Sequence, residues 1–408
     1  MAGQSFVKTV GNNFQLNDKI YQYIGCNYWY GGYMGATNKR RLTEELDFLA
    51  FQNVTNLRVF ICGEGDSTYP YRVHPNLQEM PRVYNENLLQ GFDYFLTEAG
   101  KRNMKVVFVL NNNWEWSGGF GQYLEWANKG TAPLPKTNDW DWNSYCKYIG
   151  QFYTCDSCLV WNKAWIKKIV SRKNTVSGLL YRNDASIMAW ELANEPRPMD
   201  SSAIEPFKNW VSQTSAFIKS LDKNHLVTIG TEGVISTFYS EEIYTSIHNN
   251  KNIDYATLHL WPKTWQWYNG ESKASVSDST LDKTKKYIEQ HAGLAKEINR
   301  PLVIEEFGLH RDGNSFDPIA SVNHRNKYYD FVFRVGKANG VSGYNFWGFA
   351  GMAANYNPTG FMQKGMTYSA DPPQEEQGLY SVFMSDSGTW KVIAKRLGLL
   401  QGQKGHIE

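Results

Sequence analysis

The chain has 408 residues, of which 42% are hydrophobic, 15% aromatic and 20% charged, with a formal net charge of +2. This composition is typical of a folded globular protein and excludes a disordered, collagen-like or coiled-coil chain. Nucleic acid is not an expected partner, because no surplus of Lys and Arg is available to neutralise phosphates. No apolar run is long enough to span a bilayer, so no membrane partner is expected either.

Short runs of β-branched or aromatic residues alternate along the chain with stretches whose apolar residues recur three and four positions apart. The first pattern predicts strands and the second predicts helices. No repeat, low-complexity tract or Pro/Gly/Ser-rich linker marks a domain boundary. The predicted strands cover, in chain order, 21–27, 54–60, 104–111, 187–191, 226–230, 255–260, 302–306 and 343–347.

The alternation of strand and helix determines the predicted fold class. It implies parallel strands joined by right-handed crossovers, and eight such units close most naturally into a (β/α)8 TIM barrel of the α/β class. The alternative is an open doubly wound sheet, which lacks support because no GxGxxG or P-loop motif follows the first strand. We therefore expect residues 1–408 to form one catalytic barrel domain. The predicted helices cover 41–52, 87–102, 161–172, 204–221, 279–299 and 323–338, with a last one from Thr389.

Acids, amides and indoles follow most of the predicted strands. In a (β/α)8 barrel these C-terminal strand ends carry the active site. The 15 Trp and 25 Tyr of the chain suit a groove that binds sugar rings, although an aromatic-rich core would give the same composition. The strand-end residues are 26–30, Arg58, 111–116, 194–197, Glu232, 259–261, 305–308 and Trp347.

Two strand-end carboxylates are candidates for acid/base and nucleophilic chemistry: Glu195 after the fourth strand and Glu306 at the end of the seventh. Such a pair cleaves a glycosidic bond without a metal or cofactor, and we predict neither. A separation of about 5–5.5 Å implies a retaining mechanism and about 6.5–9.5 Å an inverting one. Glu305 competes with Glu306, but strand side chains alternate in direction, so we expect only one of them to face the substrate. An ion pair within the barrel is the structural alternative for each Glu.

Two segments resemble the acid/base and nucleophile signatures of glycoside hydrolase family 5, specifically of its β-mannan-cleaving members. They are WELANEPR at 190–197 and IEEFG at 304–308. NYWY at 27–30, NLRV at 56–59, NNWEW at 112–116, HLW at 259–261 and Trp347 follow the order of that family, so the resemblance covers nearly the whole chain. It implies that Glu195 is the general acid/base and Glu306 the nucleophile.

The resemblance also implies roles for the residues around this pair. Arg58 would keep Glu306 ionised, Asn194 would bond the 2-hydroxyl of the reacting sugar, and His259 would line the site of that sugar. Trp347 would be the platform beneath the same sugar. Trp114, Trp116 and Arg197 would contact neighbouring sugars, one of the two indoles being expected to pack in the rim instead. Trp261 stands where many family members have a Tyr that bonds the nucleophile, which puts that contact in question.

The long segment 351–378 after the last strand bears on substrate specificity. It contains DPPQEEQG at 371–378, which together with the His-x-Trp at 259–261 resembles an exo-acting β-mannosidase branch of the family. In that branch the loop blocks the groove behind the reacting sugar. We therefore expect a retaining exo-β-1,4-mannosidase that acts on manno-oligosaccharides and also transglycosylates. The alternatives are an endo-β-1,4-mannanase, an endo-glucanase and, more remotely, a non-catalytic sugar-binding barrel.

The N-terminus and the cysteines bear on localisation. The segment MAGQSFVKTV lacks the apolar core of a signal peptide, so we expect a cytoplasmic protein, or a secreted one if this is a mature chain. Five cysteines are not a disulfide framework and fit a reducing compartment. Cys155 and Cys158 form a CxxC motif with no second motif to complete a zinc site, so they are either ordinary thiols or one local disulfide.

Overall fold

Eight parallel strands form one sheet that curls into a nearly closed barrel. The computed structural model describes residues 5–66, 72–133, 141–268, 276–355, 360–362 and 366–400. The first to fifth strands pair in chain order, as do the sixth to eighth, and the first pairs with the eighth, which confirms the (β/α)8 TIM barrel. Two backbone hydrogen bonds near the ends of the fifth and sixth strands close the remaining gap. Asp254 N donates to Val227 O at 2.8 Å, and His259 N donates to Glu232 O at 3.1 Å. The strands are Tyr23–Asn27, Asn56–Phe60, Lys105–Val109, Ile187–Glu191, Leu226–Thr228, Ala256–Leu260, Leu302–Phe307 and Gly343–Phe346.

All residues of these eight strands are buried, as expected for parallel strands that helices cover on the outside. The burial includes charged and polar side chains near the strand ends, among them Arg58, Glu191, His259 and Glu306. Buried polar groups need hydrogen-bond partners. The strand ends therefore form a connected polar network at one end of the barrel.

The long helices agree with the sequence pattern and the short ones do not. Ile204–Leu221 and Asn323–Ala338 match their predicted bounds. Four helices of seven to nine residues were not predicted, because one or two turns give too little periodicity: Gly31–Thr37, Gly119–Trp126, Trp142–Gly150 and Glu241–His248. In the described part of the chain, no helix combines the length and apolar character needed to cross a membrane. The other helices are Lys39–Phe51, Glu86–Lys101, Asp156–Val170, Asp278–Glu297 and Ser387–Leu400.

The predicted first strand, 21–27, is in fact two strands. Lys19–Tyr21 belongs to a three-stranded antiparallel sheet with Lys8–Val10 and Asn13–Leu16, and the barrel strand starts at Tyr23. The sequence joins them because strand-forming residues continue across Gln22. This small sheet covers the N-terminal end of the barrel, where Phe14 packs in one cluster with side chains mostly from the barrel strands. The cluster consists of Val7, Phe14, Tyr23, Val107, Met188, Ala189, Leu226, Tyr255 and Val303.

Of the two alternatives for the CxxC motif, the structure has the disulfide between Cys155 and Cys158. Cys155 is the N-cap of the helix Asp156–Val170, and its sulfur accepts a hydrogen bond from the backbone N of Cys158 at 3.3 Å. Cys26, Cys62 and Cys146 are free.

The segment 351–378 is partly described, since 356–359 and 363–365 lie outside the described residues. Its C-terminal part folds back on itself around the buried Asp371. That carboxylate accepts bonds from Gly378 N and Tyr380 N, both 2.8 Å, and from the Ser381 hydroxyl at 2.5 Å. The Trp29 indole donates to Ala370 O at 2.9 Å. The segment is therefore anchored to the C-terminal end of the barrel.

Candidate active site

A pocket of about 350 Å³ lies at the C-terminal ends of the strands, the end where the barrel rule predicts a site. Eight of the ten predicted site residues line it, whereas Arg58 and His259 are fully buried beneath it. The predicted lining residues are Trp114, Trp116, Asn194, Glu195, Arg197, Trp261, Glu306 and Trp347. Residues that were not predicted as site residues also line it: Trp142, Glu232, Ile235, Thr264, Trp265, Pro372, Gln374, Glu375 and Tyr380.

Glu195 is held in an unusual backbone conformation beyond the fourth strand. Its φ is +50°, a left-handed value that side-chain-bearing residues rarely adopt and that clusters at functional sites. Backbone bonds fix this turn, from Glu195 N to Gly230 O and from Asn194 N to Asn111 O, both 2.9 Å. The carboxylate accepts the indole N–H of Trp114 at 2.5 Å and lies 2.6 Å from His259 Nδ1.

Glu306 is placed by the end of the seventh strand, and its partners are donors. One oxygen accepts from Arg58 Nη1. The other accepts the indole N–H of Trp261 at 3.1 Å, so Trp261 does supply the contact that the missing Tyr put in question. Arg58 is itself fixed by a bidentate pair with Glu191, at 2.9 and 2.5 Å, so it contacts Glu306 and also forms an ion pair within the barrel.

His259 lies between the two carboxylates. Its Nδ1 is 2.6 Å from an oxygen of Glu195 and 3.4 Å from an oxygen of Glu306. Burial, with the nearby charge of Arg58, lowers the pKa of His259 to about 3. The imidazole is therefore neutral, and it forms a hydrogen bond with Glu195 without adding charge to the site.

The two carboxylates are close enough for a retaining mechanism. One oxygen of Glu195 and one of Glu306 lie within 4.8 Å of each other. That spacing is in line with the roughly 5–5.5 Å between carboxyl groups that suits a direct nucleophile. With His259 they are also the set of possible metal ligands found among the described residues. Arg58 bonded to Glu306 disfavours a cation there, because like charges repel.

Glu305 does not follow the alternation that the sequence suggested. The seventh strand contains a register shift against the sixth, where Leu258 pairs with Ile304 and His259 with Glu306. Glu305 is the extra residue, and such a bulge redirects side chains near active sites. Both Glu side chains consequently approach His259, with Glu305 Oε2 lying 3.8 Å from Nε2. The two side chains differ instead in their position relative to the pocket, because Glu306 lines it and Glu305 does not.

Burial affects both carboxyl groups of the pair. It raises the pKa of Glu195, against the opposing charge of Arg197, and it raises the pKa of Glu306 well above its ordinary range, against the opposing charge of Arg58. The family resemblance implied that Arg58 keeps Glu306 ionised, and burial opposes that effect. Glu306 contacts a guanidinium directly, whereas Glu195 contacts two neutral groups. A proton shared by the pair is therefore more stable on Glu195 beside an ionised Glu306.

The remaining predicted residues differ in burial and contacts. Asn194 is held on both sides of its amide, accepting from Arg58 Nη2 at 2.8 Å and donating to Asn112 Oδ1 at 3.1 Å. Trp116 is the indole that packs in the rim, since it is only 3% exposed and its ring lies 5.4 Å from that of Trp29. Trp347 forms part of the pocket wall, with its ring 5.8 Å from that of Trp261.

Known proteins share this architecture. The family model described as GH family 5 beta-mannosidase-like matches residues 4–403. Mannan endo-1,4-beta-mannosidase 4 of Solanum lycopersicum is 32% identical over 361 residues, which cover 85% of this chain and 84% of that protein. The crystal structure of a glycoside hydrolase family 5 mannosidase from Rhizomucor miehei is 32% identical, with a TM-score of 0.89, and the match covers 98% of this chain and 99% of that one.

A second structure from the same fungus shares the fold at lower sequence identity. The endo-1,4-beta-mannanase of Rhizomucor miehei has a TM-score of 0.73 at 23% identity, and the match covers 98% of this chain and 100% of that one. The match over 4–403 together with a relative more than 30% identical establishes the family. This chain belongs to glycoside hydrolase family 5 and is a mannan-degrading glycoside hydrolase.

Proposed function

We propose that the protein is a retaining exo-β-1,4-mannosidase that removes the terminal β-mannose from manno-oligosaccharides. One observation carries the exo assignment: Pro372, Gln374 and Glu375 line the same pocket as Glu195 and Glu306. These three residues belong to the segment after the eighth strand, on the opposite side of the barrel from the fourth strand, which precedes Glu195. A chain that continued beyond the reacting sugar in that direction would meet them.

The anchoring of this segment supports a permanent block at that end of the pocket. Asp371 holds the two ends of the turn together through three hydrogen bonds. The side-chain amide of Gln377 donates to the carbonyls of Asp371 and Pro372 at 3.1 and 3.0 Å. A turn tied by buried side-chain bonds keeps its place when substrate arrives, so the pocket accepts one sugar at this end.

The chemistry follows from the two carboxylates. The ionised Glu306 attacks the anomeric carbon of the terminal mannose while Glu195 gives its proton to the leaving oxygen, which produces a covalent mannosyl-enzyme. Glu195, now ionised, takes a proton from water in the second step, and the water oxygen bonds to the anomeric carbon while that carbon's bond to Glu306 breaks and leaves Glu306 ionised again. When a sugar hydroxyl replaces that water, the product is a longer oligosaccharide, which is transglycosylation.

The surrounding residues stabilise these steps in our proposal. Arg58 and Trp261 hold Glu306 by donating to its two oxygens. Asn194 contacts the 2-hydroxyl of the reacting mannose, a contact that strengthens in the oxocarbenium-like transition state. Trp347 lies beneath the same ring. We further propose that residues 1–408 form one catalytic domain, which the family match over 4–403 supports.

The endo-mannanase alternative has a specific observation in its favour. The curated relative from Solanum lycopersicum, at 32% identity, is named as an endo-enzyme. The mannosidase structure from Rhizomucor miehei favours the exo reading, since its TM-score of 0.89 exceeds the 0.73 of the endo-mannanase from that fungus.

A time course on mannohexaose labelled at the reducing end tests the proposal. An exo-mannosidase releases free mannose and labelled mannopentaose first. Early labelled mannobiose and mannotriose without mannose would replace the proposal by an endo-mannanase. Absence of turnover by the wild type on mannosides, cellobiosides and xylosides would favour a binding role.

Azide rescue of two alanine variants tests the roles of the carboxylates. Glu306→Ala removes the nucleophile, so azide takes its place and yields the α-mannosyl azide from an aryl β-mannoside. Glu195→Ala still forms the covalent intermediate from a substrate with a good leaving group, and azide then yields the β-mannosyl azide. Exchanged anomers would reverse the two assignments, and the same anomer from both variants would refute them.

A further inference from the structure

Trp114, Trp142 and Tyr145 form an aromatic cluster along one wall of the pocket. The ring centres of Trp114 and Trp142 are 6.2 Å apart, and those of Trp142 and Tyr145 are 6.1 Å apart. The guanidinium carbon of Arg197 lies 5.2 Å from the ring centre of Trp114 and 5.8 Å from that of Trp142. Glu232 fixes Arg197 by two bonds of 2.6 and 2.7 Å, so the rings have a rigid neighbour.

The position of Glu195 indicates that this cluster lies on the leaving-group side of the cleaved bond. In the proposed function Glu195 protonates the leaving oxygen, so the pocket wall that runs outward from Glu195, on the side away from His259 and Glu306, faces the leaving sugars. Trp114 donates to Glu195 at 2.5 Å, and Trp142 is the next ring beyond Trp114. The rings also become more exposed outward, from the partly buried Trp114 to Trp142, which is 43% exposed.

Trp142 has features that a merely structural tryptophan does not need. It starts the helix Trp142–Gly150, whose N-cap Asp141 accepts bonds from Asn143 N and Ser144 N at 2.9 and 3.3 Å. The start of the helix therefore does not depend on the indole. The ring is large, exposed and part of the pocket wall, and its rotamer is restricted by Tyr145 and Arg197. Rigid, half-exposed indoles are suited to stacking against the apolar face of a ligand ring.

We propose that Trp142 is the platform of an outer binding subsite for a hexopyranose ring, the second sugar of the leaving chain. The same subsite holds the second sugar of an acceptor during transglycosylation. The inference rests on the proposed function for its direction, because Glu195 defines the leaving side. It adds a binding position that the strand-end motifs do not include.

The test compares substrates that differ by one sugar on the leaving side. Mannobiose has one leaving sugar and mannotriose has two, so only mannotriose reaches Trp142. We expect Trp142→Ala to lower kcat/KM for mannotriose about five- to tenfold, the size of an aromatic contact, and to change kcat/KM for mannobiose less than twofold. Trp142→Phe should keep most of the mannotriose rate. In a Glu306→Ala background, Trp142→Ala should weaken calorimetric binding of mannotriose by a similar factor.

Phe51→Ala is a matched control, because Phe51 is 82% exposed and ends the helix before the second strand, at the opposite end of the barrel. It should leave both substrates unaffected. Equal losses on both substrates in Trp142→Ala, or no loss on mannotriose, would overturn the inference. Failure of the proposed function is detected separately by the mannohexaose time course, in which an endo-mannanase releases labelled mannobiose and mannotriose without mannose. The calorimetric comparison still tests Trp142 in that case.

Discussion

Four carboxyl groups meet around the single guanidinium of Arg58 below the pocket. Glu191 holds the bidentate pair, Glu306 bonds Nη1, and Glu305 lies 4.0 Å from Nε. One oxygen of Glu195 lies within 4.8 Å of one oxygen of Glu306. Burial, with the charge of Glu191 beside it, raises the pKa of Glu305 well above its ordinary value. Burial and the neighbouring Glu191 therefore favour the protonated form of Glu305.

Identical substitutions at Glu305 and Glu191 test this charge distribution. Glu305→Gln replaces a protonated carboxyl by a neutral amide of the same shape, so kcat should stay within about threefold of the wild type. Glu191→Gln removes the bidentate partner of Arg58 and displaces the group that holds Glu306, and kcat should fall about 100-fold or more. Steady-state kinetics on mannotriose measure both. A loss in Glu305→Gln as large as that in Glu191→Gln would mean that Glu305 is ionised.

The indole of Trp261 is expected to contribute to activity through its N–H. Trp261→Phe keeps an aromatic ring but removes the 3.1 Å bond to Glu306. Hydrogen bonds to charged groups contribute about 1.5–3 kcal/mol, so kcat/KM should fall roughly 10- to 100-fold. Trp261→Tyr restores a donor and should recover part of the rate. If the Phe and Tyr variants are equally active, the hydrogen bond does not matter and the ring alone supports the site.

Arg197 sets the position of the alkaline limb of the pH profile. Burial raises the pKa of Glu195 and the positive charge of Arg197 opposes that rise. Arg197→Met removes the opposing charge and frees the negative charge of Glu232, and both changes stabilise the protonated acid. The pH at which kcat/KM falls as Glu195 loses its proton should therefore move upward. A profile of kcat/KM against pH measures this, and an unchanged or lower limb contradicts the electrostatic argument.

At the scale of elements, the predictions that failed are those that a local sequence pattern cannot support. The alternation rule placed Glu305 and Glu306 on opposite faces, but the register shift between the sixth and seventh strands puts both toward His259. A bulge depends on the pairing partner, which no local pattern shows. The long helices were predicted because many turns repeat the same apolar spacing, whereas the helix Trp142–Gly150, which carries Trp142, is too short for that.

The turn 371–378 gives a prediction at the element scale. Replacing residues 372–376 by two glycines removes Pro372, Gln374 and Glu375 from the pocket and keeps Asp371 and Gln377. We expect the variant to release labelled mannobiose and mannotriose from mannohexaose, because the chain can now pass that end of the pocket. Gln374→Ala with Glu375→Ala, which keeps the turn, is the matched control and should still release mannose first. Unchanged products from the shortened variant would show that another part of the protein blocks the groove.

At the scale of the whole molecule, the two ends of the barrel differ in how well the sequence predicts them. The C-terminal end carries the family motifs, so all ten predicted site residues lie in the pocket or directly beneath it. Pro372, Gln374 and Glu375 come from a connection between elements and Trp142 from the first residue of a short helix, so no periodicity fixes the position of this part of the lining. The N-terminal end is covered by the small sheet of Lys8–Val10, Asn13–Leu16 and Lys19–Tyr21, which the strand pattern merged with the barrel.

The opposite placement of this sheet and the pocket predicts that stability and catalysis can be separated. Phe14 is fully buried, with its ring 5.3 Å from that of Tyr255, and Phe14→Ala should lower the free energy of unfolding by about 3–5 kcal/mol. Ile20 is on the same sheet but 69% exposed, and Ile20→Ala should change it by less than about 0.5 kcal/mol. Denaturant unfolding measures both free energies. At denaturant concentrations well below the unfolding transition, kcat on mannotriose should equal that of the wild type in each variant. A lower kcat in folded Phe14→Ala would mean that packing at the N-terminal end also positions Glu195 and Glu306.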